Sequence, residues 1–115
     1  TACAKRLSPT LGAQALGNTL WACAKLGYTP EQEVLKALLG QTTRKLPTFK
    51  AQELANTLWA CAKLDHNPGE ELLDAMLEET RRKLPTFKAQ ELANTLWACA
   101  KLDHNPGEEL LDAML

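Results

Sequence analysis

The sequence predicts an all-α fold: an α-solenoid of stacked helix-turn-helix repeats, about 38 residues each, wound as a right-handed superhelix. Three observations predict it. Trp21, Trp59 and Trp97 fall 38 residues apart. Arg44 to Leu77 is repeated letter for letter from Arg82 to Leu115. Within each repeat the apolar residues keep helical spacing, interrupted at two prolines. The handedness follows by analogy with other helical-hairpin repeats. The period divides the chain into residues 6–43, 44–81 and 82–115, preceded at 1–5 by a remnant of an earlier helix A. The third repeat stops inside its second helix, so the expectation is a piece of a longer array.

The middle repeat shows the logic of each element. From Lys50 to Leu64, the apolar residues Ala51, Leu54, Ala55, Leu58, Cys61 and Ala62 lie on one side of a helix, helix A. Neither Gly nor Pro interrupts it. Asp65-His66-Asn67 ends it, and Asn67-Pro68 predicts the next start, with Asn as N-cap and Pro at the first helical position. In helix B, Glu70 and Glu71 fall in the first turn and Arg81, Arg82 and Lys83 in the last, both favourable to the helix dipole. Leu72, Leu73, Ala75, Met76 and Leu77 form its apolar side. Leu84-Pro85 closes the unit, because proline lacks an amide hydrogen and disfavours helix in the residue before it.

Neither helix can bury its stripe alone, and identical neighbours supply the missing surface. Ala55, Ala60, Cys61 and Ala62 permit close approach of helices, and Trp59, at the edge of the stripe, is expected to wedge between units. Arg6 to Leu39 matches the middle repeat at 20 of 34 positions. There Gly12, Gly17 and Gly27 replace Lys50, Ala55 and Asp65. Glycine inside a helix is about 1 kcal/mol worse than alanine, so the first repeat is expected to be the softest.

Bulk properties exclude several classes. With 13 Lys and Arg against 14 Asp and Glu, no overall basic field draws the chain to nucleic acid or membrane, so basic groups must act locally. An apolar fraction of 45 % argues against intrinsic disorder. The longest apolar run, Leu58 to Ala62 and its copies, is five residues, far too short to span a membrane. Cys23, Cys61 and Cys99 share one helical slot and read as small hydrophobes in a reducing compartment. Cys61 and His66 recur as Cys99 and His104, but the first repeat has Tyr28 in the histidine slot, and no metal site is expected. Nor is a cofactor or an enzyme. Ser8 is the only serine, no glycine-rich phosphate loop occurs, and Glu70/Glu71 and Glu108/Glu109 read as helix-start charges.

The polar face of helix A is the candidate site. At about 100° per residue, Gln52, Asn56 and Lys63 fall within about 40° of one another. The trio recurs as Gln14, Asn18 and Lys25, and as Gln90, Asn94 and Lys101. Stacked A helices would display three parallel rows, two of amides and one of ammonium groups. Amides can pair with base edges and lysines can neutralise phosphates, the logic of helical repeats that read single-stranded RNA one unit per nucleotide. A solvated face without a ligand is the alternative. A second set, Arg44/Lys45 and Arg81/Arg82/Lys83, suggests a basic edge, although the helix dipole explains it equally well.

The 38-residue period, with Gln52-Glu53-Leu54-Ala55-Asn56 opening helix A and Trp59-Ala60-Cys61-Ala62-Lys63-Leu64 closing it, resembles the octotricopeptide repeat of green-algal organelle proteins. It is also similar to the helical repeats that precede RAP domains. The resemblance covers residues 6 to 115. The first repeat carries Leu16, Asn18, Trp21, Ala22, Ala24, Lys25 and Leu26, with Gly17 for alanine, and helix B opens with Asn67-Pro68-Gly69 where the family has two prolines. The resemblance implies an RNA-binding protein of chloroplast or mitochondrion, acting in RNA stabilisation, processing, splicing or translation. Other proteins of an organellar ribonucleoprotein are implied partners. A ribosomal element holding rRNA, or a scaffold gripping protein in the same groove, are the alternatives. Three units would address about three nucleotides, so useful affinity is expected to need more repeats.

Overall fold

The computed structural model describes residues 12–115, and these are all-helical, with no strand among them. The remnant at 1–5 and the start of the first repeat lie outside the described residues. Six α-helices alternate as A and B elements: α1 (Ala13–Leu26), α2 (Gln32–Lys45), α3 (Ala51–Lys63), α4 (Glu70–Arg82), α5 (Ala89–Lys101) and α6 (Glu108–Met114). Short 3₁₀ turns, Leu46–Thr48 and Leu84–Thr86, carry the linking prolines. The body measures 43 × 25 × 23 Å, elongated as a stack should be.

The A helices form the spine. The most extensive helix contacts run α1 to α3 and α3 to α5, not between the two helices of a hairpin. Small side chains allow this: Ala24, Ala55, Ala60, Ala62 and Ala98 are all buried. At Gly17 a Cβ would stand 3.4 Å from the Glu53 Cα, a measure of how near the α1 and α3 backbones come. Leu16, Leu20, Leu54 and Leu58 from the A helices meet Leu38, Leu73 and Met76 from the B helices in one core. Phe49, from the link after the 3₁₀ turn, is fully buried among them, and Phe87 repeats the arrangement one unit on. Burying a side chain of this size contributes about 1.5–3 kcal/mol, so the link is part of the core and not a free connector.

Helix termini explain most of the exceptions to simple periodicity. Each A helix ends in a paired-bond αL cap. His66 N–H donates to the Cys61 carbonyl at 2.9 Å and Asp65 N–H to the Ala62 carbonyl at 3.1 Å; Tyr28/Gly27 and His104/Asp103 do the same. The recurring Cys-to-His spacing is therefore that of a helix cap, joined through backbone atoms. At the αL position stand Gly27, Asp65 and Asp103, with φ of 68°, 56° and 55°. This corrects the premise that all three glycines of the first repeat lie inside a helix. Gly12 is the N-cap of α1 and Gly27 follows its last residue, so only Gly17 lies within the helix.

The start of helix B also differs from the expectation. Asn67 is not the N-cap residue and Pro68 is not helical. The Asn67 Oδ1 accepts the Gly69 N–H at 2.8 Å in a side-chain turn, Gly69 stands at φ 103°, and α4 begins at Glu70. The side-chain turn competes with the helix for the same amides and delays it by two residues. Asn105 and Gly107 repeat it at 2.8 Å. The expected charges hold: Glu70 and Glu71 occupy the first turn of α4, and Arg81 and Arg82 the last. At the start of the A helices, the Glu53 and Glu91 carboxylates each accept the N–H of the N-cap lysine, Lys50 and Lys88, at 2.8 Å. Among the described residues no helix is long and apolar enough to cross a membrane.

Candidate nucleic-acid interface

The side-by-side packing of α1, α3 and α5 brings the three polar trios into parallel rows. Gln14, Asn18 and Lys25 project from α1, Gln52, Asn56 and Lys63 from α3, and Gln90, Asn94 and Lys101 from α5. The glutamines, the lysines and Asn18 are exposed, while Asn56 and Asn94 are half-buried. On α5 the two amides touch: Gln90 Nε2 donates to Asn94 Oδ1 at 3.1 Å. Such a contact fixes the amide planes while leaving further donors and acceptors for a ligand.

Charge is distributed unevenly between this face and the ends of the B helices. Among the described residues, Lys25, Lys63 and Lys101 have no ion-pair partner. Arg81 is engaged by Glu78 and Arg82 by Glu79 at 3.2 Å. The hydrogen bond from Arg81 holds the Glu78 carboxyl below its ordinary range, and the same bond raises the guanidinium pKa. Lys83 is held by Glu79 at 3.2 Å and by the Pro47 carbonyl at 2.9 Å. The basic edge suggested by Arg81/Arg82/Lys83 is thus largely compensated by its own helix. The lysine row of the A face has no such compensation among the described residues.

The tryptophans add what the residue pattern had left to structure. They do bridge units, but at the surface, ring against ring. The Trp21 and Trp59 centroids are 6.4 Å apart and tilted 36°, and those of Trp59 and Trp97 are 6.3 Å apart and tilted 35°. Trp21 is 40 % exposed and Trp97 43 %, with Trp59 half-buried between them. The Lys25 ammonium lies 5.7 Å from the Trp21 ring centroid, within cation–π range. The ladder therefore belongs to the polar face. The sequence held this signal: on a helical wheel Trp59 lies about 20° from Gln52 and about 40° from Lys63.

The cysteines of the A helices face inward. Cys61 and Cys99 are buried and Cys23 is half-buried. Desolvation pushes the Cys61 thiol up to about 12 and that of Cys99 to about 11, with Cys23 also raised. These thiols are protonated core side chains at neutral pH.

Comparison with curated proteins found none that matches this chain. Comparison with protein families found a match over residues 2–115 to the model described as Tbc2 translation factor, N-terminal domain. With the match running through every described helix, the chain belongs to the Tbc2 translation factor N-terminal domain family.

Proposed function

We propose that this chain binds a single RNA strand along the face built by α1, α3 and α5, as the RNA-holding part of a translation factor. One observation supports the reading: the Gln, Asn and Lys positions recur on the packed A helices, and among the described residues the three lysines have no ion-pair partner. Each helical pair addresses one nucleotide. Asn18, Asn56 and Asn94, with Gln14, Gln52 and Gln90 beside them, contact base edges; Lys25, Lys63 and Lys101 contact phosphates. The matched family supports a role in translation, and the octotricopeptide-like motif supports an address in chloroplast or mitochondrion. The chain acts by holding RNA, not by chemistry upon it.

Salt dependence tests the reading. Binding through n phosphates weakens with a log–log slope of roughly −0.7n for single strands, which a peptide groove does not reproduce. Replacing Lys63 and Lys101 together by alanine should reduce both affinity and slope. An unchanged affinity and slope would remove the phosphate assignment. Asn56→Ala should alter base preference more than bulk affinity, and an unchanged preference would make Asn56 structural. Tight binding of folded rRNA but not of a linear oligomer would favour a ribosomal role.

A further inference from the structure

The tryptophan ladder lies along the edge of the core, with Trp59 half-buried against it. Leu16, Leu20, Leu54 and Leu58 lie within the core, essentially inaccessible to solvent, while Trp21 and Trp97 each leave about two-fifths of their surface in water. The three indoles line up across α1, α3 and α5, one per unit, on the face that carries the Lys and amide rows. Their spacing is informative. Successive bases in a stacked strand rise about 3.4 Å. The indoles step by 6.4 and 6.3 Å, nearly twice that. A duplex or a stacked single strand cannot keep one base per ring at this interval, whereas an extended strand with splayed bases can.

The partner of Trp21 points the same way. Its ring carries the Lys25 ammonium at 5.7 Å. A cation resting on an indole is the free-state occupant of a surface that a nucleobase can also cover. When Lys25 turns to a phosphate, the ring is released to the base attached to that phosphate. We propose that Trp21, Trp59 and Trp97 form a stacking platform that holds three successive bases of an extended RNA strand, one base per indole. This rests on the RNA-binding reading above and gives it a division of labour. The indoles supply affinity indifferent to base identity, because every base has a π-face. The amides beside them discriminate between bases.

The chain contains only these three tryptophans, so its indole emission reports on the platform directly. The test titrates the whole chain at low salt with unstructured oligouridine and oligoadenosine RNA, and with a duplex RNA of equal length. The expected results are quenching by both single strands and much weaker binding of the duplex. Trp97→Leu removes the most exposed ring and should weaken both single strands by a similar factor, roughly 5- to 150-fold, with the salt slope unchanged. Trp97→Phe should keep most of the affinity. Trp21→Leu provides a second variant at the other end of the ladder should Trp97→Leu melt early. Wild-type affinity in both leucine variants, with unquenched emission in the parent chain, would overturn the platform and leave RNA binding by the polar rows intact. Equal affinity for the duplex would also overturn it. Failure of the parent chain to bind any oligomer would remove the RNA-binding reading itself, and the platform with it.

Discussion

The ammonium of Lys83 donates to the Pro47 carbonyl oxygen at 2.9 Å, tying the last turn of helix B to the link that opens the same unit. The Phe49 carbonyl is a second acceptor and the Glu79 carboxylate, at 3.2 Å, a third partner. The ammonium is thus held by two carbonyls and a carboxylate, and one of the carbonyls belongs to the buried Phe49 plug. Hydrogen bonds to a charged group contribute about 1.5–3 kcal/mol, more than neutral ones. Lys83→Met should lower stability by roughly that amount, read as a lower urea midpoint with an unchanged m-value. Lys83→Arg should recover only part, because a planar fork cannot converge on the acceptors as an ammonium does. Arg81→Ala, which removes a solvent-exposed pair, should leave the midpoint where it was.

The αL caps give a prediction of opposite sign. Gly27, Asp65 and Asp103 hold the same position with nearly the same positive φ, and only glycine does so without a Cβ clash. Asp65→Gly and Asp103→Gly should each stabilise the chain by about 0.5–1 kcal/mol, and Gly27→Asp should destabilise it by a similar amount. The measurement is the shift in unfolding midpoint for each single variant. A loss of stability in Asp65→Gly would mean that the Asp65 side chain makes a contact worth more than the strain it imposes.

These caps also show where sequence reading succeeded and where it stopped. The A and B helices were legible because Leu54, Leu58, Cys61 and their copies repeat at helical spacing, and burial enforces that spacing. The turn at Asn67-Pro68-Gly69 was misread by two residues. Asn is a good N-cap, but its carboxamide found the nearer Gly69 N–H first. The polar rows were legible because their direction follows from helix geometry alone. Lys83 was read as one member of a basic edge because its acceptors, Pro47 and Phe49, lie more than thirty residues away. Nothing local in the chain announces them. The wedging of Trp59 between units was legible from its place at the edge of the stripe, but the run of three neighbouring rings with exposed outer members shows only once the A helices are packed side by side.

Identical sequence does not guarantee identical satisfaction, and two threonines show it. Thr95 donates to the Glu91 carbonyl at 2.8 Å, whereas the hydroxyl of Thr57, 38 residues earlier and fully buried, has no partner. A buried polar group without a hydrogen bond costs about 1–3 kcal/mol. Thr57→Val, which keeps the shape and removes the hydroxyl, should raise stability by about 1 kcal/mol. Thr95→Val should be neutral or mildly destabilising, because it gives up a made bond. Equal effects at the two sites, measured by thermal unfolding under identical conditions, would show that the Thr57 hydroxyl finds an acceptor in solution.

The buried thiols set the alkaline limit of the fold. In the unfolded chain a cysteine ionises near its ordinary value of about 8.5. In the folded chain Cys61 holds its proton to about 12 and Cys99 to about 11, because burial penalises the thiolate. The folded state therefore binds more protons than the unfolded state between those limits. The stabilisation is fully present below about pH 8.5 and is lost as pH rises towards 11–12. Cys61 alone should cost about 1.4 kcal/mol for each pH unit above its unfolded value, with Cys99 acting in the same direction over a narrower range. Cys61→Ala with Cys99→Ala should flatten the fall in stability between pH 9 and 11, even though the cavities they leave lower stability at neutral pH. Alkylation at pH 8 should follow the same order, with half-buried Cys23 modified before Cys99 and Cys61 last. Rapid modification of Cys61 in the folded chain, or a pH profile unaltered by the double substitution, would contradict this account.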